Sequence, residues 1–274
     1  MTPTYTINCH GHLLTTQTPL IMGILNVTPD SFYDGGKYNT TDQIRARADQ
    51  ILTQGAHIID LGACSTRPGS TPPTPDQEWS RLEHALQTIR THHPNAIISI
   101  DTYRADIARK AVTQYQADII NDISSLLDPQ MLPTIAQLHV PYILTHNPQK
   151  PNPTTPPIQH LLQTLSQKIN TLTTQGIADI IIDPGLGFAK TTNQNYQILA
   201  NLPALHTLHR PILIGISRKS MIYNTLNTTP ADSLTGTTTL NTLALLAGAH
   251  ILRVHDITPC AQTIQLLQQL KNNT

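Results

Sequence analysis

Eight short apolar runs, each followed by a helix-length segment, constrain this 274-residue chain more than anything else in it. They fall near residues 21–25, 57–61, 97–101, 118–122, 141–146, 179–183, 211–215 and 250–254. Near-continuous apolar strands are expected where both faces of a parallel sheet are covered, and strands alternating with helices imply βαβ units. Eight such units over this length predict an α/β fold, a (β/α)₈ barrel in one domain over 17–274, preceded by a hairpin over 1–16 that turns at Gly11. Thr41 and Asp42 are expected to cap the first helix, which ends at Gly55. Further helices are expected near 76–90, 105–115, 129–138, 158–174 and, last, 264–270. A doubly wound open sheet is the alternative, but no GxGxxG follows the first run.

Composition excludes several functions. The formal net charge is zero, so there is no basic field for a nucleic-acid backbone. Charged residues make up 12% of the chain, against roughly 25% in typical domains; Thr, Gln, Asn and Pro replace them, which is a background bias. No apolar run reaches the ~18 residues of a membrane span, and the N-terminus lacks the basic and apolar regions of a secretory signal. Cys9, Cys64 and Cys260 are odd in number and far apart, against a disulfide framework or zinc site. A reducing cytoplasm is the expected setting.

In a barrel the C-terminal strand ends converge on one face, which carries the active site. Those ends are Asn26, the loop from Cys64 to Arg67, Asp101, Asn121 with Asp122, His146, Asp183, Ser217 to Lys219, and Arg253 with His255. Asp101, Asn121 and Asp183 suit a flat heterocycle offering N–H donors, since a carboxylate can take two parallel N–H bonds. Lys219, Arg253, His255 and Arg67 suit phosphate. A lone Asp at a strand end is most often a turn former, and Asp60, Asp118 and Asp122 are read as structural in that sense. The collective pattern points to a pocket for a polar ring beside an anion.

Other features have plainer readings. His84, His92 and His93 lack HExxH spacing, and His10-Gly11-His12 reads as a turn. Gly185 to Lys190 lacks the phosphate-loop spacing; its glycines are expected to let backbone approach a flat ligand. The apolar helix near 234–249 is read as core in preference to an oligomer surface. The Pro-rich stretches 67–75 and 147–157 cannot be helix or central strand; the first is expected to be a lid and the second a surface loop.

Taken in order, MGILNVTPDSFYDGG, STRPG, IDTYRADIARKA, ADIINDISSL, IIIDPGLGFAK, PILIGISRKSMI and GAHILRVHD resemble the dihydropteroate synthases of bacterial folate biosynthesis. The resemblance implies condensation of (7,8-dihydropterin-6-yl)methyl diphosphate with 4-aminobenzoate on a (β/α)₈ barrel, a Mg²⁺ cofactor, an enzyme of the kind that sulfonamides target, and a homodimer. It assigns Asp101, Asn121, Asp183 and Lys219 to the pterin ring, and Asn26, Arg253 and His255 to the diphosphate, with Asn26 and Asp34 on the metal. Thr66, Arg67, Pro68 and Ser217 would shape the 4-aminobenzoate site, with Phe32 and Phe188 nearby. Asp101, Lys219 and Arg253 would carry the catalysis. The 28–36 loop, like 67–75, would close over the substrates.

The chain departs from the family pattern at Cys64, where Glu is common, and at Thr145-His146-Asn147, where Met-His-Met is usual. Two rival readings remain at this level. A pterin-binding methyltransferase would keep the ring pocket without needing STRPG, SRKS or RVHD. A non-catalytic pterin-binding paralogue would not need Asn26, Lys219, Arg253 and His255 together.

Overall fold

The computed structural model describes residues 3–28, 40–64, 71–148 and 156–273. The strands are β1 (Thr6–Cys9), β2 (His12–Thr15), β3 (Leu20–Asn26), β4 (Ile58–Gly62), β5 (Ile97–Asp101), β6 (Ile119–Asp122), β7 (Tyr142–Thr145), β8 (Ile180–Asp183), β9 (Leu213–Ile214) and β10 (Ile251–Val254). β3 to β10 form one parallel sheet in the order β8-β7-β6-β5-β4-β3-β10-β9, and a parallel bridge between Ile182 and Ile212 joins its ends. The expected barrel is what forms. Helices α1 (Thr41–Thr53), α2 (Pro75–His92), α3 (Ala105–Tyr115), α4 (Met131–Leu138), α5 (Pro157–Thr174), α6 (Thr192–Ala200), α7 (Ser220–Tyr223), α8 (Leu234–Leu246) and α9 (Ile257–Lys271) surround it, with a 3₁₀ turn at Leu202–Leu208.

Local chemistry sets the helix starts. Thr40, one residue before the expected cap, accepts from the Gln43 N–H while Gln43 reaches back to the Thr40 amide. The same reciprocal box recurs as Thr74 with Gln77 and Thr191 with Gln194. The last helix begins at Ile257 and not at 264. Pro259 lies in its first turn, where no helical partner awaits the missing N–H, so this proline opens the helix instead of barring it. α8 also departs from expectation. Thr237 and Asn241 face inward, while Leu234, Leu243 and Leu246 are exposed.

Side-chain alternation in the strands builds the interior. Ile58, Ile97, Ile119, Ile143, Ile181, Leu213 and Ile251, with Leu20 and Met22, form one apolar cluster inside the barrel. Ile7 and Cys9 of the β1–β2 hairpin plug it from below. That hairpin turns through His10 and Gly11, both at positive φ (50° and 90°), which suits a two-residue turn of the primed type. Side chains two residues further along a strand point the same way. Above the apolar floor, the lumen therefore receives Asp60, Ser99, Asp101, Asn121, Thr145, Asp183 and Arg253. Residues of opposite parity, such as Ile59, Ile98, Ile120, Leu144 and Ile182, pack outward against the helices in the larger core.

Candidate active site

Asp118 and Asp122 have the outward parity, and their partners explain them. Asp118 accepts from the Ile98 amide at 2.8 Å and from Arg90 at 3.0 Å. Asp122 accepts from the Ser124 and Leu126 amides and the Tyr142 hydroxyl, at 2.7, 2.9 and 2.6 Å. Both are structural, as read from the sequence. Asp60 differs. It is fully buried in the lumen and accepts from Arg253 Nε at 2.6 Å and from Asn121 Nδ2 at 3.3 Å to each oxygen.

Arg253 also donates through Nη2 to Asp101 Oδ2 at 2.7 Å, so Asp60, Asp101, Asn121 and Arg253 form one network. Burial pushes the Asp101 carboxyl up; Arg253 pulls it back down, while Asp60 adds to the rise. Burial works against the Arg253 charge, but Asp60 and Asp101 more than offset it and raise its pKa. Asn121 Oδ1, Ser99 Oγ and Thr145 Oγ1 are buried with no hydrogen-bond partner among the described residues. Leaving such a group unpaired costs about 1–3 kcal/mol, so a chamber lined by them favours a polar occupant.

The opposite wall holds the second charged pair. Asp183 Oδ1 accepts from the Gly185 amide at 2.7 Å. Burial raises the Asp183 carboxyl, and Lys219 opposes the rise. Lys219 itself is pushed down to about 8, by burial first and against the pull of Asp183. Its ammonium donates to the Leu186 carbonyl and lies 4.7 Å from the Phe188 ring centroid, a cation–π contact. The glycines of this loop allow close approach within the chain itself. A Cβ on Gly185 (φ +65°) would sit 2.2 Å from the His146 carbonyl oxygen, and one on Gly187 3.2 Å from Lys219 Cδ. Lys190 ties the loop down, donating to the carbonyls of His146, Gly185 and Phe188.

The outer rim carries the remaining polar groups. Ser217 Oγ accepts from the His255 amide at 3.2 Å and lies 3.1 Å from His255 Nδ1. Arg218 (φ 57°) pairs through two bonds with Asp256. Arg47, buried in α1, donates to the carbonyls of Ile24 at 3.3 Å and His255 at 2.9 Å, tying the β3 end to the β10 end. Glu78, fully buried, accepts from Thr102 and Arg104. His146 is buried, and burial lowers its pKa to about 3. Sequence reasoning passed over Asp60 as structural and did not pick out Arg47; the parity of Asp60 with Ile58 was the available signal.

Of the sequence-derived site residues, Arg253 pairs directly with Asp101 and is linked to Asn121 through Asp60; Lys219 contacts Phe188 and lies within electrostatic reach of Asp183; and Ser217 meets His255. Asn26 ends β3, and a Cβ on neighbouring Gly62 would lie 3.1 Å from its Oδ1. Phe32, Asp34, Thr66, Arg67 and Pro68 lie outside the described residues, as do most of the 28–36 loop and part of each Pro-rich stretch. Cys64 is half-buried, its Sγ 4.0 Å from the Tyr103 hydroxyl.

The barrel thus holds buried carboxylate, amide and hydroxyl acceptors and two cations at the upper end of its lumen, an arrangement suited to a polar ligand. Residues 22–255 match the family model described as pterin binding enzyme. The chain is 38% identical to dihydropteroate synthase of Bacillus subtilis, over 92% of this chain and 89% of that protein. Two Xanthomonas albilineans dihydropteroate synthase structures superpose on it. One, with 4-aminobenzoic acid, has a TM-score of 0.89 at 32% identity over 99% of both chains. The other, with 7,8-dihydropteroate, has a TM-score of 0.85 at 31% identity over 97% and 99%. The chain belongs to the pterin-binding enzyme family and, within it, to the dihydropteroate synthases.

Proposed function

We propose that this chain condenses (7,8-dihydropterin-6-yl)methyl diphosphate with 4-aminobenzoate to give 7,8-dihydropteroate and diphosphate. The observation that carries this reading is the polar lumen above the apolar floor, where Asp101, Asn121 and Asp183 present acceptors, with Lys219 near Asp183. The relatives crystallised with 4-aminobenzoic acid and 7,8-dihydropteroate support it.

Residue chemistry gives the steps. The ring sits in the lumen with its N–H groups on the carboxylates and the Asn121 carbonyl, and Lys219 donates to a ring acceptor. The C–O bond to diphosphate breaks, the C–N bond to 4-aminobenzoate forms, and the amine proton leaves to solvent or diphosphate. Positive charge develops on the ring as diphosphate departs. Asp101 and Asp183, the carboxylates facing the ring, favour the charge that develops there. Arg253 can exchange one carboxylate for a phosphate oxygen, and His255, held by Ser217, receives the same leaving group.

Mg²⁺ fits the donor set in hand. Asn26 offers a hard amide oxygen into space that a side chain at position 62 would fill. Among the described residues no group of three or more His, Cys, Asp or Glu is placed for a metal. Asn26 and Asp34 would hold it. When bound, the ion supplies positive charge to the diphosphate.

The outward leucines of adjacent helices α8 and α9 (Leu243, Leu246, Leu266 and Leu270) support a homodimer. The three free thiols support a cytoplasmic setting. Among the described residues no helix is long and apolar enough to cross a membrane. Mass-spectrometric identification of the product decides between readings. Dihydropteroate formed from the two substrates is expected; methyl transfer from a methylated pterin, or ring binding with no turnover, would point to one of the rival readings.

A further inference from the structure

Asp60 is the one lumen carboxylate with no part in the reaction as drawn above, yet its geometry links two residues that have one. In barrel order β6 and β10 each lie two strands from β4, so a β4 side chain reaches both only across the lumen. Asp60 does so while fully buried, accepting from Asn121 of β6 and Arg253 of β10. Asp118 and Asp122 satisfy backbone amides on the helix side; the partners of Asp60 among the described residues are the two site side chains. The amide of Asn121 can present a donor or an acceptor by rotating half a turn. With Nδ2 on Asp60, Oδ1 is the atom left buried without a partner among the described residues.

We infer that Asp60 is a positioning residue for ring recognition: it fixes the Asn121 amide with its carbonyl toward the bound ring and holds Arg253 against Asp101. The inference deepens the synthase reading and rests on it. Its chemical content is specificity. The ring edge met by Asn121 must carry an N–H donor, and a ring with an acceptor there is rejected because the amide cannot turn without losing Asp60.

Steady-state kinetics of the full-length enzyme with both substrates tests this. Asp60→Asn removes the obligate acceptor at nearly constant volume. It is expected to raise KM for the pterin diphosphate at least tenfold while KM for 4-aminobenzoate stays within twofold. Because Asp60 acts through Asn121, the Asp60→Asn/Asn121→Ala double variant should have a pterin KM at least threefold below the product of the two single effects. A multiplicative double variant, or an equal rise in both KM values, would overturn the inference. Asp60→Ser serves if Asp60→Asn does not fold, and failure of both to fold would assign Asp60 to folding alone and also overturn it. Absence of turnover in the unsubstituted enzyme is a separate result, which removes the synthase reading itself.

Discussion

At the scale of single residues, Lys219 shows how burial and function are joined. Its chain runs past Gly187, and its ammonium rests between the Leu186 carbonyl, the Phe188 face and the Asp183 field. Lys219→Ala and Asp183→Ala are each expected to lower kcat/KM at least about 100-fold, the scale of losing a preorganised charge, while the circular dichroism spectrum stays native. Near-normal turnover would remove their roles. Burial also sets the pH at which Lys219 works. Its pKa is pushed down to about 8, so the ammonium is present below that pH and is lost above it. The pH profile of kcat/KM for the pterin substrate should fall through an alkaline limb near pH 8; a flat profile to pH 9.5 would show that the lysine charge is not used. Most of these residues were legible in the sequence because they stand at strand ends. Asp60 was not, since a carboxylate in mid-strand reads as structural until the strand's parity is tied to a closed lumen.

At the scale of elements, the joints between strands depend on buried groups that must stay neutral. His250, just before β10, accepts the Ile212 amide at Nδ1 and donates from Nε2 to the Pro3 carbonyl, at 2.9 and 3.0 Å. This single tautomer ties the β9–β10 edge to the N-terminal segment. Burial lowers its pKa to about 4. The unfolded chain therefore binds a proton near pH 6.5 that the native chain refuses until about pH 4, so stability falls as pH drops through that window. By pH 5 the loss from this one group is on the order of 2 kcal/mol. Urea titrations at pH 7 and pH 5 should show it, and His250→Ala should shrink the difference; an unchanged difference would assign the acid sensitivity elsewhere, with buried His146 the next candidate. Helix starts were only partly legible. The threonine boxes follow a local rule, whereas Pro259 at the start of α9 reads as a breaker until its place in the first turn is known.

At the scale of the whole molecule, the barrel separates stability from chemistry along its axis. Its lower end is an apolar layer plugged by the hairpin, and its upper lumen is polar. Ile7 in the plug is buried against that layer and far along the strands from the site. Ile7→Ala should cost about 2–4 kcal/mol in urea unfolding, with kcat/KM per folded molecule unchanged. A comparable loss of activity in the folded enzyme would mean that the floor also shapes the chamber. The barrel itself was legible, because eight apolar runs, each followed by a helix-length segment, admit few closures. The outward leucines of α8 were not, because an apolar run does not say which of its faces meets the core. The central claim, that this lumen makes a carbon–nitrogen bond at the expense of diphosphate, is tested most directly by one assay. Folded enzyme is given the pterin diphosphate and Mg²⁺, with and without 4-aminobenzoate, and diphosphate release is followed. Release that matches dihydropteroate formed, mole for mole, is the expected result. No release by well-folded protein would contradict the account.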